Sequence, residues 1–442
     1  MAKTTTEPAP ALRRTLHAPG LVIHYITSVI GVGVLIIPGH VAAAAGPLSL
    51  VAWVLLVAYS YPFAMIFARL SIRYPSSRGI TGFIEYAFGR FPARWASAFL
   101  VLTLLVANPV LGLAGARYLI NIWDPDPSNL NIIGVGSLLV LGSILFNLIG
   151  VRLSTRVQGI VLGSLIAFLV LVMVIALPHA HAGNLTPFAP QGWLALGQAL
   201  IICFFGFIGW ENAAPVAEEV ADPPRTFPKA IFWAVLSVGA LYFAMALTVV
   251  LVLPSSGSNG QQITAFSTLL KVASGREVSQ VGNVVAVVLL MLAANAWALG
   301  TSRVIYSSAR DGLLPSALAK VSRSHGVPWA ALVFLVVGYG IPVGLLALSG
   351  ADETMLITAS AAAFLLIFLA TFLAAHKLLE GKAIKACNLL VIVVTIGILP
   401  FFGKSLIFAG SLIALGLLIV LLRRHASSAT ELAATREGEV TV

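Results

Sequence analysis

Residues 31–39 read GVGVLIIPG and follow the apolar stretch LVIHYITSVI, so three glycines and a proline interrupt a run hydrophobic enough for a membrane. Glycine costs about 1 kcal/mol and proline about 3 kcal/mol relative to alanine in a helix interior. A break there frees backbone N–H and C=O groups, and lipid cannot pair with them. Such groups are tolerated only inside the protein or beside a polar cavity.

The surroundings are those of a polytopic membrane protein. Of 442 residues, 59% are hydrophobic and only 10% are charged, against about 25% charged in soluble domains. A spanning helix needs roughly 20 mostly apolar residues. Runs of that kind lie at 21–45, 48–70, 95–119, 131–150, 157–178, 193–217, 229–253, 279–304, 328–349, 354–376, 384–401 and 403–422, which makes twelve spans. The first twenty residues, MAKTTTEPAPALRRTLHAPG, lack a small-residue cleavage site behind a short apolar core and read as a tail. Residues 423–442 read as a second tail. Cys203 and Cys387 both lie in apolar segments, so no disulfide framework is implied.

Lysine and arginine orient the chain. With the N-terminus inside, every one of the 26 basic residues except Arg117, Lys271, Arg276 and Lys404 falls on an inner segment. The outer connections instead carry WDPDP at 123–127 and ADE at 351–353. Both termini are expected to be cytoplasmic. The net charge of +10 is then topology, and nucleic acid is not an expected partner.

The helix breakers recur. The sixth span reads FFGFIGWENAAP, with Gly206, Gly209 and Pro215 at a depth comparable to that of GVGVLIIPG. Four spans lie between the two broken ones, so the broken spans run in opposite directions. Paired broken helices in two halves of opposite orientation point to an inverted-repeat transporter. The repeats are spans 1–5 (21–178) and 6–10 (193–376), with spans 11 and 12 (384–422) outside them. A half-helix N-terminus attracts a carboxylate, and a half-helix C-terminus attracts an amine or cation. Facing breaks would thus cradle a zwitterion, whereas an isolated GxG more often serves close helix packing.

Four stretches in order carry a resemblance. These are GVGVLIIPG, then YPSSRGITGFIEYAFGRFPAR at 74–94, GFIGWENAAPVAEEVADPPRTFPKAI at 206–231 and SRVIYSSARDGLLPSALAKVSRSHGVPWAAL at 302–332. Together the sequence resembles the amino acid–polyamine–organocation transporter superfamily along nearly its whole length. Within the superfamily it looks most like bacterial exporters of methionine and branched-chain amino acids. The resemblance implies an all-α membrane fold with a five-plus-five inverted repeat (LeuT-like), discontinuous helices 1 and 6, and substrate bound between them. It also implies residence in the plasma membrane, as a monomer or homodimer, with coupling to protons, to sodium or to exchange of a second solute. No organic cofactor or bound metal is expected.

Matching positions assign the roles. Gly31, Val32 and Gly33 would form the first-span cradle, with backbone amides toward the substrate carboxylate. Val32 stands where many relatives place a hydroxyl, so that contact would be backbone and shape. Phe205, Gly206, Phe207 and Ile208 would be the unwound piece of span 6, its carbonyls facing the ammonium. Phe205 would lid the site, Ile208 would touch the side chain and Trp297 would line span 8. For Phe205 and Trp297 the alternative is ordinary apolar packing.

Glu211 is the acid in the middle of a span, where a charge costs at least about 3 kcal/mol. It is a candidate proton carrier, or a cap on backbone freed beside the Gly206–Gly209 break, and the two are compatible. His24 reads as a hydrogen-bonded helix contact rather than a relay. Asn108, before Pro109 in span 3, would contact substrate or satisfy backbone freed by that proline. Thr301 and Ser302 lie where a sodium-coupled relative would offer hydroxyls. Span 5 carries no lysine, Gly163 standing near the position where several proton-coupled relatives have one.

An apolar pocket holds a second charge poorly without a partner, so neutral hydrophobic amino acids (leucine, isoleucine, valine, methionine or an aromatic) are the expected cargo. A cationic amino acid or polyamine antiporter, with Glu211 as counter-ion, is the alternative. A membrane-embedded enzyme would need a nucleophile, base and ligand set at one depth, and no HExxH or paired intramembrane aspartates occur. The tails are too short for a signalling domain. Import, export and exchange stay open.

Overall fold

The computed structural model describes residues 16–75, 78–124, 127–149, 155–214, 216–253, 264–322 and 326–439. Among the described residues, eleven helices are long and apolar enough to cross a membrane, and a shorter apolar helix at Ala18–Ile30 opens the first span. That first span is α1 (Ala18–Gly33) followed by α2 (Ile37–Ala45), and the second is α3 (Ser49–Arg73). A short amphipathic helix, α4 (Ile80–Phe88), precedes the third span, which is α5 (Arg90–Ala107) and α6 (Pro109–Ile120). Spans four and five are α7 (Asn129–Leu148) and α8 (Thr155–Ala176).

The sixth span departs from the expected 193–217. Only α9 (Ala195–Gly206) is α-helical, and the chain beyond it runs through 3-10 turns at Trp210–Ala213 and Ala217–Glu219. The physical reason is a cluster of poor helix formers, Gly206 and Gly209, followed by Pro215, which lies outside the described residues. The seventh span is α10 (Pro223–Val252). The eighth belongs to α11 (Ala265–Arg310), in which Gly275, at φ 85°, separates a helix at one face from the spanning part. Spans nine to twelve are α12 (Trp329–Ser349), α13 (Thr354–Leu378), α14 (Lys382–Ile398) and α15 (Lys404–Glu439). This last helix continues past the expected end at 422, because residues 425–439 are rich in alanine and glutamate, both good helix formers.

Packing centres on the broken spans. Helix α10 lies against α1 and α3, while α9 lies against α2 and α3. The chain entering α1 pairs with the chain leaving span 6: Leu16 N–H donates to Glu219 O at 2.9 Å, and Ala221 N–H donates to Leu16 O at 2.9 Å. An even number of spans puts the start of α1 and the end of α15 on this same face. Also on it, α4 buries Ile80, Phe83 and Ile84 against α5 and α13. Lys377 of α13 donates to the carbonyl of Ala87 at 2.7 Å and lies over the Phe88 ring. A cation there complements both the last-turn carbonyls and the negative end of the helix dipole. Glu85 of the same helix pairs with Arg78.

Candidate functional site

The first span breaks later than GVG suggests. Gly31, Val32 and Gly33 are helical, and the chain leaves the helix at residues 34–36. Pro38 explains the register: it has no N–H to return to the carbonyl of Val34, so the helix cannot run through. It is instead tolerated in the first turn of α2. The amides freed by this break are therefore those of Ile37 and Gly39 at the start of α2, rather than those of residues 31–33. The side chain of Val32 lies outside the described residues. Tyr118 of α6 donates its hydroxyl to Leu35 O at 2.7 Å, answering one carbonyl of the break from span 3.

The sixth span is held differently. Phe207 N–H returns to Phe204 O at 2.9 Å as α9 closes. Gly209 then takes φ 134°, a conformation open to glycine. A Cβ at this position would also stand 2.5 Å from Ser28 O of α1. The Gly209 N–H donates to Glu211 Oε2 at 2.9 Å, and His24 of α1 donates from Nε2 to Asn212 O at 3.0 Å. Glu211 thus caps backbone at the break, and His24 makes a helix contact.

The two breaks meet. A Cβ on Gly206 would lie 3.2 Å from the Cα of Gly33. Tyr242 of α10 stands between them, its hydroxyl 2.8 Å from Val29 O and 3.0 Å from Gly206 O. Its ring packs edge-on against Trp53 of α3 and against Phe207, each with centroids 5.3 Å away. Phe205, Phe207 and Ile208 are all buried. Trp297 is half-buried and meets the Phe364 ring of α13 at 6.5 Å. Tyr242, Trp53 and Phe364 were not singled out from sequence; a hydroxyl inside the apolar run ALYFAMAL was the one signal for Tyr242.

Asn108 is engaged elsewhere. Its Nδ2 donates to Thr301 Oγ1 at 2.7 Å and to Tyr339 of α12 at 2.5 Å, joining spans 3, 8 and 9. Ser302 donates to Leu299 O at 2.8 Å within its own helix. Away from the termini, Arg117 of α6 and Glu353, just before α13, form a buried two-pronged ion pair, with Nη2 to Oε2 at 2.9 Å. Charge counting had placed both on the outer side without joining them. His40 of α2 packs nearby, its Nδ1 bonded to Ile36 O at 3.1 Å.

Known proteins share this architecture. The family model described as amino acid permease matches residues 19–422. The uncharacterized amino acid permease YecA of Bacillus subtilis is 30% identical over 392 residues, covering 88% of this chain and 92% of that protein. The L-methionine/branched-chain amino acid exporter YjeH of Escherichia coli is 26% identical, with 80% of this chain and 84% of that protein covered. In three dimensions the crystal structure of MhsT in complex with L-phenylalanine superposes with a TM-score of 0.62 at 14% identity, covering 90% of this chain and all of that one. That likeness supports the inverted-repeat, LeuT-like fold, with helices 1 and 6 discontinuous as observed.

Proposed function

The chain belongs to the amino acid permease family, and from that premise we propose that it carries neutral hydrophobic amino acids across the plasma membrane by alternating access, with both termini cytoplasmic. The observation that carries this reading is the meeting of two broken helices inside apolar walls. The first turn of α2 offers amides to a carboxylate, and the end of α9 offers carbonyls to an ammonium. Phe205, Phe207 and Ile208 at the sixth-span break are buried and apolar, which suits a side chain such as that of leucine or methionine.

The carboxylate of Glu211 is already bonded to the Gly209 amide. A second positive charge on the substrate would compete with that cap, which favours neutral over cationic cargo. Gradient-driven transport by a monomer or homodimer, with no catalytic step, accounts for the site. Protons through Glu211, sodium near Thr301 and Ser302, or exchange of a second solute would supply the coupling, and export or exchange is the working mode.

The test is a counterflow panel in proteoliposomes with pH and sodium varied. Leucine and methionine should compete with labelled leucine while arginine does not; competition by arginine alone would reverse the assignment. Glu211→Gln keeps an oxygen for the Gly209 amide, so leucine counterflow should stay within about threefold of wild type. If Glu211 carries the coupled proton, the pH dependence of uptake should flatten in the same variant.

A further inference from the structure

The second glycine of the first span is fixed by a neighbour on another helix. A Cβ at Gly33 would lie 2.0 Å from the Tyr242 hydroxyl oxygen and 2.8 Å from Gly206 O. No larger residue fits without moving them. The space is taken by one phenolic O–H within hydrogen-bond distance of carbonyls on two different broken helices. A tyrosine hydroxyl has a single proton to donate, so Val29 and Gly206 share it. Gly206 ends α9, where carbonyls lose their intrahelical partners. Val29 sits one turn before the end of α1. The phenol cannot drift, because its ring is fully buried between Trp53 and Phe207.

Resting on the reading that an amino acid lies between the two breaks, we propose that Tyr242 is a positioning residue of that site: its shared proton holds the Val29 and Gly206 carbonyls in register, and so sets the spacing at which the sixth-span break meets the substrate ammonium. Without that proton two partially negative oxygens would face each other across the vacated position. They would separate, and the two breaks with them.

Tyr242→Phe keeps the ring and removes the proton. Tyr59→Phe is the matched control: Tyr59 is also buried, and its hydroxyl bonds Thr395 of α14 at 2.7 Å, away from the breaks. Full-length protein in proteoliposomes is assayed by counterflow of L-leucine or, if leucine is silent, L-methionine, and melting is followed in detergent. Tyr242→Phe should raise the half-saturating concentration about tenfold, the scale of a lost bond that leaves a buried acceptor unpaired. The maximal rate should stay within about threefold and melting should fall no more than in the control, since the ring packing is untouched.

An unchanged half-saturation, an equal rise in Tyr59→Phe, or a Tyr242→Phe protein that fails to assemble would each overturn the positioning role. Wild-type protein that moves neither leucine nor methionine would instead strike the transport reading beneath it, and that result does not depend on any variant.

Discussion

The two broken spans occupy matching places in the two repeats, yet they solve the same backbone problem in different ways. In span 1 the helix stops at Gly33 and restarts at Ile37, so only a few groups are left over. In span 6, among the described residues, no α-helix resumes after Gly206 until Pro223. The first break is answered largely by helix geometry, with Tyr118 supplying one hydroxyl. The sixth depends on individual side chains, Glu211 and His24, and on a glycine in a conformation closed to other residues. Symmetry of position thus does not carry symmetry of support: a half-helix satisfies most of its own backbone, while a string of turns is only as secure as its capping groups.

Substitutions can break that contrast in graded steps. The largest effect is expected on the side of the first break that faces away from the termini, where α2 lies near the Arg117–Glu353 pair. Glu353→Gln leaves a buried guanidinium without its counter-charge, which costs about 3–5 kcal/mol; a thermal melt in detergent should show the loss, and retention of wild-type stability would contradict burial of the pair. Gly209→Ala should cost on the order of 3 kcal/mol, through strain at positive φ and overlap with Ser28 O. The same change at Gly163, where a Cβ meets nothing within 4 Å, is the mild comparison in the same melting series.

Smaller effects sharpen the sixth-span side. Glu211→Ala strands the Gly209 amide and should destabilise by about 1–3 kcal/mol; denaturant titration distinguishes this from Glu211→Gln, which retains an acceptor. His24→Ala removes one bond to Asn212 O, worth about 1 kcal/mol. Limited proteolysis at residues 207–222 should reveal it as faster cleavage, with no change in the α2 region.

Much of this architecture was legible in the sequence, because length and hydropathy fix the spans and glycine and proline announce the breaks. What escaped was decided by contacts between distant parts of the chain. The exact stop in span 1 depends on Pro38, which forbids a bond four residues back, rather than on the glycines that precede it. Gly33 serves close approach: it admits Tyr242, a fact invisible until α10 is laid beside α1. Asn108, from its place before Pro109, read as a substrate contact or a partner for freed backbone; its Nδ2 meets Thr301 and Tyr339 from two later helices, which sequence alone does not show. Arg117 and Glu353 were each visible as outer charges, and only folding brings together groups 236 positions apart.

The lysine cap on α4 has a mechanical consequence. Lys377 projects from the last turn of α13 and donates to the Ala87 carbonyl near the end of α4. A hydrogen bond is lost once its partners part by more than a few tenths of an ångström beyond normal range. Sliding of α13 along its axis would therefore either carry the end of α4 with it or break this bond.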